Sequence, residues 1–280
     1  ASAPWDDLRF SYDGVKTVLR MFNVLWNVYK FPLPYMALDG YKPAETADGK
    51  WDPSRVEDHL SEFCREDRWL ISRVNSLAEQ VTAEMEVCNL HRATRPISTF
   101  VLDELSRWYV QLVRPRMWLE EESVSKMQAY DTMYYVVRRL IGILAPFAPY
   151  VTEKMYQNLK CAGDVPSVHM QDWFKGNDKL RDTVLEEEMN VIQSFDEAVS
   201  NARQNGKRKG RWPVSSIVVA TESDAVINAI NAMNDMARDR ANARAVTAVK
   251  GVWDKLEWTA VPTMKAIGKQ FGRNGPKVKA

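Results

Sequence analysis

The chain has 280 residues, 45% hydrophobic and 10% aromatic, enough for one large domain or two small ones with real cores. Twelve Gly and thirteen Pro exclude a fibrous or low-complexity protein, and no run of eighteen apolar residues offers a membrane span. The net charge of +1 hides an asymmetry: residues 201–280 hold fifteen Lys and Arg against six Asp and Glu, a net of +9, while residues 1–200 are net −8. Such an imbalance points to a nucleic-acid surface concentrated at one end.

The N-terminal stretch, Ala1 to Asp7, has neither a basic start nor an apolar core, so it is not a signal peptide. It lacks an initiator Met, and the chain is expected to be a piece of a longer, cytoplasmic protein. A first helix is predicted over residues 11–31, capped by Ser11 or Asp13, with Val15, Val18, Leu19, Phe22, Leu25, Trp26 and Tyr29 as its stripe. Pro32 and Pro34 stop it, and residues 32–53 read as a long surface loop. A second helix follows from Leu60 to Glu86. A third, from Leu90 to Val113, turns Ile97, Phe100, Val101, Leu105, Tyr109 and Leu112 inward, with Pro96 near its start and Pro115 ending or bending it. Further helices are predicted over Ser125–Leu144, Tyr150–Leu159 behind Pro149, and Lys179–Arg203.

The period then changes. Ser216–Ala220 is β-branched, Asp224–Arg240 is helical, and Ala245–Val249 and Leu256–Val261 are strand-like. The result is mainly α: a helical bundle over 1–212, then a small α+β domain over 213–280.

No catalytic constellation emerges. Cys64, Cys88 and Cys161 are widely spaced, and His59, His91 and His169 supply no short ligand spacing, so no catalytic or metal site is expected. There is no P-loop and no G-x-G-x-x-G.

The chemistry that is present is basic and aromatic. Arg203 to Arg211 reads R-Q-N-G-K-R-K-G-R, five cations and no acid in nine positions, with Trp212 adjoining. Arg203, Lys207, Arg208, Lys209 and Arg211 can neutralise phosphates, and an indole can stack on an unpaired base. The alternative is a solvated loop. A second candidate is the third helix, where Arg107, Trp108, Arg114 and Arg116 lie close together beside Tyr109 and Trp118. Those arginines could instead pair with Glu104 or Glu120–Glu122. A third is the acid-free tail bearing Lys265, Lys269, Arg273, Lys277 and Lys279.

Four segments carry a family resemblance: Ala3 to Ser11; Asp67–Leu77 with Leu105–Val110; Leu144–Pro149 with Ser167–Trp173; and Asn201–Gln204 with Arg211–Val214. In these the chain resembles the C-terminal, tRNA-binding part of class I isoleucyl-tRNA synthetases, most closely the archaeal and eukaryotic branch. The resemblance implies an anticodon-binding helical bundle with a truncated appendage. It implies isoleucine-accepting tRNA as partner, no membrane, and a monomer. Neither His-x-Gly-His nor Lys-Met-Ser-Lys-Ser occurs here, so this chain is expected to be inactive alone and to hold no cofactor. The parent enzyme would use ATP and Mg. A valyl or leucyl relative, or a helical protein-interaction scaffold, is the alternative.

Overall fold

The computed structural model describes residues 10–253 apart from 120 and 122. The expected strand at 256–261, the basic tail and residues 3–9 of the first matched segment lie outside the described residues. The chain divides into two compact units, Ala1–Glu187 and Glu188–Ala280.

The first unit is helical. α1 (Tyr12–Lys30) starts where the extended Ser11 turns its Oγ to accept the Gly14 N–H at 3.0 Å. The Pro32-Leu-Pro34 stretch then sets a short α2 (Leu33–Leu38), a turn of helix that the loop reading missed. The rest of that loop holds α3 (Ser54–Glu57) and one bridge between Glu45 and Trp51. It is pinned to the segment after residue 160: Gly163 donates to the Gly49 carbonyl at 2.8 Å, and a Cβ there would lie 2.1 Å from the Asp48 carbonyl oxygen.

α4 (Arg65–Glu86) and α7 (Val124–Leu144) carry the centre of this unit, with Leu70, Ile71, Val74, Ala78, Tyr135 and Leu140 excluded from solvent. Ser123 caps α7 by accepting the Lys126 N–H at 3.1 Å. α8 (Pro149–Leu159) opens on its proline, which has no N–H to leave unpaired. Between α4 and α7 the helix runs unbroken past Pro115: α5 (Leu90–Thr99), a π-helical segment (Phe100–Tyr109) and α6 (Val110–Met117). The wider π turn advances the inward face by one residue. Val110 and Val113 are therefore buried, and Leu112, expected inside, is only partly so.

Buried charges in this unit are paired. Arg73 joins Glu104 at 2.8 Å and Glu186 at 2.7 Å. Lys126 meets Asp39, whose carboxyl is held below its usual range by hydrogen bonds from Lys126 and Tyr130. These arrangements fix helix positions more than they add stability, because desolvation offsets much of the attraction.

α9 (Thr183–Asn205) leads into the second unit. There β1 (Val214–Thr221) and β2 (Ala243–Lys250) pair in parallel, Val214 opposite Ala243 through Thr221 opposite Lys250. Parallel pairing requires a crossover, which is supplied by α10 (Asp224–Ala232) and α11 (Asn234–Ala241). The sequence suggested one helix here; it breaks at Met233. Ala229, Ile230, Met233, Ala237 and Ala241 form the buried side of the crossover.

Candidate nucleic-acid interface

In the second unit the basic run occupies the turn after α9. The helix ends with Arg208 N–H bonded to the Arg203 carbonyl at 2.8 Å, which places Lys207 in the left-handed region at φ 53°. A glycine is usual there; a lysine is strained. Lys207, Arg208, Lys209 and Arg211 are all exposed, and Trp212 is 48% exposed. The Trp212 N–H closes a turn on the Lys209 carbonyl at 3.0 Å. The stretch therefore presents four cations and one indole from a defined backbone.

Arg203 does something different from its neighbours. Its guanidinium donates to the carbonyls of Lys209 (3.3 Å), Trp212 (2.8 Å), Ala241 (2.7 Å) and Asn242 (3.2 Å). It holds the turn to the end of α11. Asn242, itself left-handed, adds a bond from its Nδ2 to the Gly210 carbonyl at 3.0 Å. Arg203 is thus a positioning residue within the predicted patch.

In the first unit the predicted arginine face divides by burial. Arg114 is exposed and stacks between two rings, 5.6 Å from the centroids of both Phe31 and Trp118. Trp118 is 57% exposed and donates its Nε1 to the Tyr35 hydroxyl at 2.9 Å. Phe31 and Tyr35 lie 5.8 Å apart, tilted by 60°. Beside them opens a cavity of about 420 Å³, lined by Asn27, Lys30, Phe31, Tyr35, Ser106 and Arg114 among others. Cations and aromatic faces around an open cavity are what an unpaired base needs for stacking.

Two of the expected contact residues are part of the framework instead. Trp108 is 6% exposed, so its indole packs inside rather than offering a stacking face. Arg116 is half-buried, paired with Asp67 at 2.7 Å and Glu66 at 2.7 Å, and also donates to the Ser125 carbonyl. Asp67 additionally accepts the Tyr109 hydroxyl at 2.6 Å. Burial pushes the Asp67 carboxyl up to about 6, against the lowering effect of Arg116. The ligand atoms of Cys64, Glu66 and Asp67 lie within 4.8 Å of one another. The two carboxylates are already committed to Arg116, which supplies the charge a metal cation would bring. Arg107 is exposed and pairs with Asp103 at 2.6 Å, not with Glu104.

Sequence reading missed Lys30, Phe31 and Tyr35. The signal was present in the K-F-P-L-P-Y run, where a cation and two aromatics flank prolines at a helix end.

A helical bundle and a small parallel β-α-β unit each present cations beside exposed rings, the chemistry of a nucleic-acid-binding class of domain. Among the described residues no helix is long and apolar enough to cross a membrane. The chain belongs to the anticodon-binding domain family of tRNA ligases, whose model matches residues 67–219. Among relatives, an isoleucine–tRNA ligase of Methanocorpusculum labreanum is 82% identical over 280 residues, all of this chain. That of Methanoculleus marisnigri is 56% identical over the same span, and that of Methanosarcina mazei 44% identical over 283 aligned residues, 99% of this chain. In each case the chain spans 26% of the relative's length.

Proposed function

We propose that this chain is the anticodon-binding portion of a cytoplasmic isoleucine–tRNA ligase and holds isoleucine-accepting tRNA. The reading is carried by the 82% identity that extends over the whole chain to such a ligase. The physical argument agrees with it. The Lys207–Arg211 turn supplies phosphate neutralisation, which sets affinity. The Arg114–Phe31–Trp118 cluster supplies ring faces for splayed anticodon bases, which sets specificity. Arg107 extends the basic face of the same helix. Attachment of isoleucine, with ATP and Mg, belongs to the remaining three-quarters of such a ligase. The nucleotide-binding signatures of that reaction, His-x-Gly-His and Lys-Met-Ser-Lys-Ser, do not occur in this sequence.

The test is binding of the chain to isoleucine tRNA and to an anticodon-altered transcript across a salt series. Steep salt dependence with weaker binding of the altered transcript supports the reading. Equal binding of both at every salt concentration sinks it.

A further inference from the structure

The first unit contains a second cavity, about 300 Å³, that shares no lining residue with the one beside Phe31. Trp51, Arg138, Arg139, Gly142, Asp172 and Phe174 line it, with Lys50 at its edge. Its wall is rigid. Asp164 accepts the backbone N–H groups of Trp51 at 3.1 Å and Cys161 at 2.8 Å, and pairs with Arg138 at 2.9 Å. The Arg139 guanidinium lies 4.2 Å from the Phe174 ring centre and 4.9 Å from that of Trp51.

Two features of this slot bear on what it could hold. The Arg138 side chain is only 2% exposed, and its Nη1 has no hydrogen-bond partner among the described residues, the guanidinium resting on the rings of Trp51 and Tyr156 at 5.1 and 5.0 Å. A buried donor left unpaired is costly unless something else satisfies it. The other feature is Gly142. It sits inside α7 with ordinary helical dihedrals, where glycine is worse than alanine. A Cβ built there meets no atom within 4 Å, so packing does not require the glycine either. The space that it leaves open is the slot.

We propose that this slot receives one unpaired nucleotide of the bound RNA, its base beside Phe174 and its phosphate toward Lys50. The proposal rests on the tRNA-binding reading above. Inorganic phosphate would engage the cations alone. A nucleobase also matches the aromatic wall, the guanidinium donors and the Asp172 acceptor, because its edge carries both donors and acceptors. The slot's size suits a single nucleotide and not a helix.

The experiment compares the chain with Gly142→Leu, which fills the slot, and Gly142→Ala, a control for the fold. Isoleucine tRNA binding is measured across a salt series, together with thermal midpoints. Gly142→Leu is expected to weaken binding about tenfold, with the slope of log affinity against log salt reduced by no more than the roughly 0.7–0.9 of one phosphate contact. Gly142→Ala is expected to hold or raise the midpoint. A folded Gly142→Leu variant that binds as tightly as the parent overturns the slot. If Gly142→Leu does not fold, Asp172→Ala on the exposed rim takes its place: a clear loss of affinity supports the slot, and none overturns it. If the parent chain binds no tRNA, the function proposed above fails by itself. The slot is then decided by titrating AMP, CMP, GMP and UMP with tryptophan fluorescence and the side-chain amide NMR signal of Gln171. Saturable binding by the parent that Gly142→Leu lacks supports it; no response to any of the four overturns it.

Discussion

The Arg203 guanidinium reaches across 38 residues of sequence to donate at 2.7 Å to the Ala241 carbonyl. The first residue of the basic run is therefore spent on holding the turn in place. Removing it should harm binding through the shape of its neighbours. Arg203→Ala is expected to lower stability by roughly 1–2 kcal/mol, through lost charge-assisted bonds. It should also make Lys207–Arg211 a preferred trypsin site and weaken RNA binding by more than one phosphate contact. Arg203→Ala with unchanged trypsin cleavage at that turn would show that the four carbonyl bonds do not organise it.

Lys207 poses the opposite case, an exposed cation on a backbone that it fits poorly. At φ 53° an L-residue is strained, and strain of this kind persists where function requires the side chain. Lys207→Gly is expected to raise stability by about 0.5–1 kcal/mol, the relief being partly offset by the freedom glycine adds to the unfolded chain. At the same time the slope of log affinity against log salt should fall by roughly 0.7–0.9 in magnitude. Urea midpoints and a salt series on the same preparation check both.

Arg116 and Asp67 together tie α6 to α4, and their coupling predicts a pH dependence. The folded pKa of Asp67, about 6, lies above its usual 3.8. Between about pH 4 and 6 the folded chain thus binds more protons than the unfolded one, and Asp67's contribution to stability declines as pH rises through that window. Arg116→Met would leave the carboxylate buried without its partner, at a cost of about 3–5 kcal/mol at pH 7. At pH 5 Asp67 is protonated and the same substitution should cost distinctly less. Denaturant midpoints at the two pH values decide it: an equal cost at both would mean that Asp67 is not ionised at pH 7.

Much of the helical framework was legible because local rules and packing agreed. Leu25 and Tyr29 of the α1 stripe, the Ser11 cap and Pro149 at a helix start fell where period and capping placed them, whereas Val15, Val18 and Leu19 of the same stripe are exposed. What was not legible depended on partners distant in sequence. Arg116 looks like a surface cation until Asp67, 49 positions away, is found beside it. Leu112 was misplaced because a π-helical segment shifts the inward face, and α-helical periodicity cannot reveal such an insertion, whereas Trp108 is buried as its i+7 spacing from Val101 allows. The β1–β2 runs were visible as strands, but nothing local says that they pair in parallel. Phe31 and Tyr35 were missed because what groups them is distant in sequence: Trp118, which bonds Tyr35, lies 83 positions on.

The ring cluster on the first unit separates stacking from charge. Trp118 is 57% exposed and uncharged, whereas Arg114 contributes both a cation and a planar surface. Trp118→Ala is expected to reduce isoleucine tRNA affinity by about 1–3 kcal/mol with the salt slope unchanged, because a stacked base releases no counterion. Arg114→Gln should lower affinity and also flatten the slope. The loss for Trp118→Ala should shrink against a transcript whose anticodon loop is closed into a duplex, since paired bases offer no free faces to stack. If both substitutions act equally on single-stranded and duplex RNA, the cluster serves as a general phosphate surface and anticodon reading lies elsewhere on the domain.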